Sequence, residues 1–355
     1  MSSREPIRQQ VPDPASQSVA FSDNICAEFE PIKKFSTHEN PDLAPIITSF
    51  DYNDTGKLLV TTSIDHEIRL YNAMKGVREK SHSSKKYGCD LARFTHDNNT
   101  LLHSSTLVNN DIRQLDYIKG EYVRYFNGHK GVVSSLEVSP LHNLFASAAM
   151  DDSVRLWDFR ATNDQAFVPY RGPTKLAYDP SGMVLGASSV TESKASLYDV
   201  RNIQGGAFKE FNLPTSFKWN KIEFSNDNKY ILFSCINGDS LIFDAFTGEQ
   251  RCRLVTQNLP EYNIQTHGSS AFSPDGKYVF AAIRTNRYTG SELPPIGVFD
   301  LKSIDPATNE LPGLLEPSVY LETRSRRPRN IIFNPRYMQF CEGDVELFFW
   351  QPRGF

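Results

Sequence analysis

The chain has 355 residues, of which 39% are hydrophobic, 12% aromatic and 23% charged, with a formal net charge of −4 and a pI near 6.1. That composition supplies ample core and excludes a nucleic-acid binder held by bulk charge, whose domains are basic with pI above about 9. No N-terminal apolar run reads as a signal peptide, and no stretch of about 18 apolar residues could span a membrane.

The five cysteines, Cys26, Cys89, Cys235, Cys252 and Cys341, form no CxxC pair and sit mostly in apolar, strand-like stretches. They read as small hydrophobes in a reducing, intracellular compartment. Residues 1–24 carry Pro6, Pro12 and Pro14 among Ser, Gln and Asp. With little there to bury, they read as a flexible tail, and residues 25–353 as one folded unit.

From residue 50 onward a short apolar strand repeatedly ends before a turn rich in Pro, Asn, Asp and Gly. The turns begin at Phe50, Phe94, Val138, Tyr178, Phe224, Phe272 and Phe333. Gly and Asn tolerate positive φ and Pro presets a turn, so each marks a hairpin reversal. A later strand in every repeat ends on an anchor: Tyr71, Leu115, Trp157, Tyr198, Phe243, Phe299 and Trp350. Successive anchors lie 44, 42, 41, 45, 56 and 51 residues apart. The first four gaps match the roughly 40–45-residue period of a four-stranded propeller blade. The last two require insertions, placed at Arg284–Pro295 between strands of blade six and at Pro306–Pro317 after its third strand.

Seven turns and seven anchors predict a seven-bladed β-propeller. The chain ends just after Trp350, leaving the last blade short of its fourth strand. The spare segment Asn24–Phe35 is strand-like and is expected to complete that blade, so that no edge of the ring is unpaired.

The third repeat carries Gly128-His129, Ser147, Asp151 and Arg155-Leu156-Trp157-Asp158. This resembles the WD-repeat family. The resemblance implies that His129, Ser147, Asp151 and Trp157 form a buried hydrogen-bonded chain holding the blade's turns. The same Asp-to-anchor offset of six recurs as Asp65–Tyr71 and Asp344–Trp350, whereas Asn109, Glu192 and Asn237 replace the Asp in blades two, four and five.

No phosphate-binding loop, nucleophile elbow, HExxH or dinucleotide fingerprint is present. Ser83-Ser-Lys-Lys86 matches SxxK but lies in a polar connector, and the eight His show no metal-ligand spacing. No catalytic residue, cofactor or metal is expected. One basic run, Arg324-Ser-Arg-Arg-Pro-Arg329, stands out in an acidic chain. It reads either as a solvated loop or as a guanidinium cluster for an acidic or phosphorylated partner. It lacks the interleaved aromatics of base stacking, so sequence-specific nucleic-acid binding is not expected.

Further stretches resemble one group within the WD-repeat proteins: Lys85–His96, Asp111-Ile-Arg113, Tyr122–His129, Val154–Arg160, Leu197–Arg201, Phe224–Leu232, Asp244–Phe246 and Phe333–Met338. They look like the Swd-two type WD-repeat subunit, shared by the COMPASS histone methyltransferase complex and, in fungi, by the cleavage and polyadenylation factor. The resemblance spans about residues 25–353. It implies a nuclear, non-catalytic subunit, monomeric alone, acting in RNA polymerase II transcription. Its implied partners are the N-terminal region of a SET-domain methyltransferase and the regulatory subunit of a polyadenylation-linked phosphatase module. The alternative is another propeller adaptor, such as a ubiquitin-ligase substrate receptor. In WD propellers, residues four and six before the inner strand's final aromatic line the channel mouth. Transferred by motif, these offsets place Ile46 and Ala44 at the mouth in blade one, and give Asp90, Thr174, Lys218, Asn220, Arg327 and Arg329 as candidate partner-binding residues.

Overall fold

The structure, a computed structural model, describes residues 21–38, 44–97, 99–216, 218–235, 239–256, 270–283, 295–304, 313–325 and 330–354. Seven mainly antiparallel sheets follow one another along the chain, the first six in chain order and the seventh built from both ends. Blade three shows the plan: Val133–Val138 innermost, then Leu144–Ala149, Ser153–Asp158 and Asp164–Pro169 outermost. The seven sheets make a seven-bladed β-propeller.

All seven predicted anchors fall in third strands and are buried. They pack between neighbouring sheets. At the boundary of blades two and three, Phe126 meets Phe145 at a centroid separation of 4.8 Å, and Phe145 stacks on Trp157 at 5.8 Å. Edge-on and offset ring pairs add to the area they bury. The reversals after the inner strands use local chemistry. In blades five and six Ser225 and Ser273 Oγ donate to Asp227 and Asp275, while Asn228 and Gly276 adopt positive φ.

The ring closes through its ends: Phe29–Ser36 pairs antiparallel with Glu346–Pro352. Its approach differs from the sequence reading. Asp23–Ala27 is a short helix rather than strand, because Ser22 Oγ caps it by accepting from Ile25 N at 3.4 Å. Cys26 is buried beneath it, and the Phe21 ring packs against Phe29, Tyr278 and Phe333. Residues 21–24 therefore belong with the folded unit and not with a tail; residues 1–20 lie outside the described residues.

Blade one also departs from expectation. Tyr52, not Phe50, pairs opposite Leu59 in the register that Phe94 and Val138 hold in blades two and three. The selections of Ile46 and Ala44 each slip by two residues in consequence. After the third strand of blade six, Ile296–Asp300, the segment Gly313–Leu315 adds in parallel to the outer strand of blade five, Gln250–Leu254. The chain then returns to supply the fourth strand of blade six, Val319–Leu321. A sheet edge that would otherwise be open is thus covered by the same chain.

Candidate partner-binding site

Strand alternation divides the loops between two faces. The connection entering each inner strand and the turn between the second and third strands share one face, here the entry face. The reversals after the inner and third strands share the other. Backbone bonds tie the two loop sets of the entry face together: Ile64 N donates to Ile46 O at 3.0 Å, Leu107 N to Tyr87 O at 2.9 Å and Met150 N to Val132 O at 2.9 Å.

The third blade's network holds that face. The structure places His129 Nε2 2.7 Å from Ser147 Oγ, which also accepts from Trp157 Nε1 at 2.8 Å. His129 Nδ1 lies 3.2 Å from Asp151, whose carboxylate further accepts from Ser153 Oγ at 2.6 Å and Lys130 N at 2.7 Å. These donors hold the Asp151 carboxyl below its ordinary value against burial, which pulls the other way. Asp151→Ala is expected to cost on the order of 1–3 kcal/mol by stranding those donors. Urea denaturation checks this, and wild-type stability would show the network to be dispensable.

Blades one and two lack the histidine and use an arginine from the middle of the third strand. Arg69 bonds Ser63 and Asp65. Arg113 donates to Ser105 at 2.7 Å and Asn109 at 3.1 Å, with Tyr87 3.7 Å from its guanidinium carbon. The sequence carried the signal, an Arg four residues after the Asp or Asn, but Arg155 shares that spacing and pairs outward with Asp164 at 3.0 Å.

In blade seven Glu342 stands at the register of Ser147, two residues beyond the partner of the anchor. It is 0% exposed, and burial pushes its carboxyl from 4.5 up to about 8. Its folded value is raised, so between about pH 4.5 and 8 the native state keeps a proton that the unfolded chain releases, and stability falls as pH rises. Glu342→Gln is expected to flatten that fall, giving its largest stabilisation near pH 8 and none near pH 4. Denaturation of both proteins across that range reads it directly.

The axial channel holds a cavity of about 360 Å³ lined by Asp51, Arg93, Glu137, Lys175, Lys221 and Glu223. Arg93 meets Glu137 at 2.9 Å, Lys221 meets Glu223 at 2.7 Å, and Lys175 donates to Ser134 O at 2.9 Å. Burial pushes Asp51 up to about 7 and Lys175 down to about 8. Two ion pairs thus engage four of these charges, while Asp51 accepts from Phe94 N at 2.6 Å. Among the described residues no group of three or more His, Cys, Asp or Glu could hold a metal.

The four described candidate partner-binding residues differ in exposure. Lys218 is exposed, and Asp90 is half-buried with its carboxylate accepting from Leu91 N at 2.8 Å. Asn220 is 5% exposed and turned into the cavity by a bulge between Trp219 and Lys221; bulges re-aim side chains in this way. Thr174 is 1% exposed and donates to Gly172 O at 3.0 Å, so in this conformation it offers nothing to a partner. Arg327 and Arg329 lie outside the described residues.

Counting offsets missed other cations of the entry face. Lys85, Lys86, Lys130 and Arg171 stand exposed in the connections out of blades one, two and three. The shared signal was a Lys or Arg in each connection, with no acid beside it.

Comparison with known proteins agrees with this architecture. The WD domain, G-beta repeat model matches residues 29–72 and 120–158. COMPASS component SWD2 of Saccharomyces cerevisiae is 36% identical over 328 residues, 91% of this chain and 95% of that protein. Set1 complex component swd2 of Schizosaccharomyces pombe is 30% identical, covering 94% of this chain and 99% of its own. WD repeat-containing protein 82 of Drosophila melanogaster is 32% identical over 94% of this chain and 98% of its own. With such identity along nearly the whole of both chains, the protein belongs to the family of Swd2 and WD repeat-containing protein 82.

Proposed function

We propose that this chain is a non-catalytic scaffold subunit of nuclear complexes acting in RNA polymerase II transcription. It holds a SET-domain histone lysine methyltransferase of the COMPASS type through that enzyme's N-terminal region. It also serves the mRNA cleavage and polyadenylation machinery by holding the regulatory subunit of a phosphatase module. The observation that carries this reading is similarity along the whole propeller to two proteins named as COMPASS and Set1 complex components. The network of blade three, buried and tied to Trp157, and the ion pairs of the channel fit a rigid platform. Affinity purification of the tagged chain from nuclear extract, with mass spectrometry, tests the reading. The methyltransferase or the phosphatase module is expected among the stoichiometric partners; a ubiquitin ligase in their place would replace this reading with the adaptor alternative.

Within that role, the basic residues Lys218, Arg327 and Arg329 are proposed to receive an acidic or phosphorylated partner segment, with Asp90 and Asn220 as further candidate contacts for its uncharged polar groups. Arginine pairs bidentately with carboxylate and phosphate. Arg327→Ala with Arg329→Ala is expected to weaken binding by about 2–5 kcal/mol if the pairs are desolvated. On an exposed rim it would instead slow association and reduce its salt dependence. Calorimetry at two salt concentrations separates these outcomes. Unaltered affinity and salt slope return the basic run to a solvated loop.

A further inference from the structure

The entry face of blades two and three combines two features. The first is apolar. Leu107 and Val108 are 54% and 65% exposed, and Val132 and Met150 are 52% and 47% exposed. The backbone bonds from Leu107 to Tyr87 and from Met150 to Val132 set each turn beside its own connection. Both apolar pairs therefore face the same way on neighbouring blades. Ile64 repeats the position in blade one. Isolated exposed aliphatics are ordinary surface, but recurrence at one register on one face makes a patch.

The second feature is charge. Lys85, Lys86 and Lys130 flank the patch, all exposed, and none forms an ion pair among the described residues. The carboxylates of the same turns are already engaged. Asp65 is held by Arg69, Asp111 by Arg113 at 3.6 Å, and Asp151 by His129 and Lys130 N. Asp152 accepts from Gly172 N at 2.7 Å. What this face offers outward is therefore cationic and aliphatic, in a chain whose net charge is −4.

Resting on the scaffold reading, we infer that the entry face of blades two and three docks an acidic segment of the partner protein through apolar anchors seated on Leu107, Val108, Val132 and Met150. The partner's carboxylates meet Lys85, Lys86 and Lys130. The aliphatic centre selects a peptide rather than a nucleic acid, because Tyr87, the ring beside Lys86, already carries the Arg113 guanidinium 3.7 Å from its centre and is not free to stack a base on that side. A patch of aliphatics rimmed by charge also divides the work. Apolar burial sets the lifetime of the complex, and the lysines set its rate of formation and its salt dependence.

The test uses the full chain and the methyltransferase N-terminal region, with the phosphatase-module regulatory subunit as second partner, measured by calorimetry and stopped flow. Leu107→Asp with Met150→Asp is expected to lower affinity at least tenfold at low and high salt alike. Lys85→Glu, Lys86→Glu and Lys130→Glu together should slow association at least tenfold at low salt and flatten the salt slope. Circular dichroism melting confirms that each variant is folded. The milder Leu107→Ser with Met150→Ser serves if the aspartates are not tolerated, with a threefold or greater loss expected. Phe208→Ser and Phe246→Ser, exposed on the opposite face, should leave binding unchanged.

Wild-type binding that survives both sets of entry-face changes overturns the inference and leaves the scaffold reading standing. Displacement of the bound fragment by single-stranded RNA of equal charge would make this a nucleic-acid face and likewise overturn it. Absence of wild-type binding to either partner ends the scaffold reading, and the inference falls with it.

Discussion

Deletion of residues 1–36 is expected to abolish the cooperative unfolding transition, whereas deletion of residues 1–20 is expected to leave it intact. The longer deletion removes the strand Phe29–Ser36 and exposes the edge of Glu346–Pro352, whose backbone groups it pairs. It also removes Phe21, Cys26 and Phe29 from the cluster that contains Tyr278, Phe280, Phe333, Phe340 and Trp350. These residues span the boundary of blades six and seven, so the loss opens the ring and not just one sheet. Closure makes seven sheets one unit, and an open ring unfolds blade by blade from its ends. Thermal melting followed by circular dichroism checks this. A single sharp transition in the longer deletion would show that the ring holds without its closing strand.

The second large effect is expected from Trp157→Ala. The indole is fully buried, stacks on Phe145, meets Phe126 edge-on at 5.9 Å and donates to Ser147. Truncation leaves a cavity at the boundary of two blades and unhooks the blade-three network. Large aromatic-to-alanine changes in cores cost about 3–5 kcal/mol, against a total stability of typically 5–15 kcal/mol. The loss should exceed that of Asp151→Ala, because the cavity adds to the broken hydrogen bond. Chemical denaturation at neutral pH gives both values. Near-wild-type stability of the Trp157 variant would mean that the blade repacks around the gap.

What the sequence revealed follows the range of the forces involved. The hairpin turns were legible because Pro, Gly and Asn act on their own backbone within four residues. The anchors were legible because the propeller repeats them at one spacing. The closing strand was inferred from a topological need, and its pairing with the last blade follows that need. Phe50 and Tyr52 are two residues apart and share one face of the strand, so periodicity cannot say which of them ends it. The helix Asp23–Ala27 depends on one capping serine and on burial of Cys26 against distant blades. The parallel strand Gly313–Leu315 has no pattern of its own; its partner lies some sixty residues upstream, in another blade.

At the candidate site the blade-three chain was legible through its signature residues. Arg69 and Arg113 were not, since the same spacing in blade three points Arg155 elsewhere. Offsets counted from the inner strand's end assumed a regular strand. Bulges at Thr48, Ser134 and Asn220 each add one residue, and they turn Ser134 and Asn220 into the channel.

The scaffold role is tested most directly by mixing the purified full chain with the N-terminal region of a COMPASS-type methyltransferase, and in parallel with the phosphatase-module regulatory subunit. Size exclusion with light scattering then gives the mass of what forms. The chain is expected to run as a monomer alone and to form a one-to-one complex with at least one of these partners, without added nucleic acid. Elution of the chain as an unchanged monomer beside both partners would contradict it.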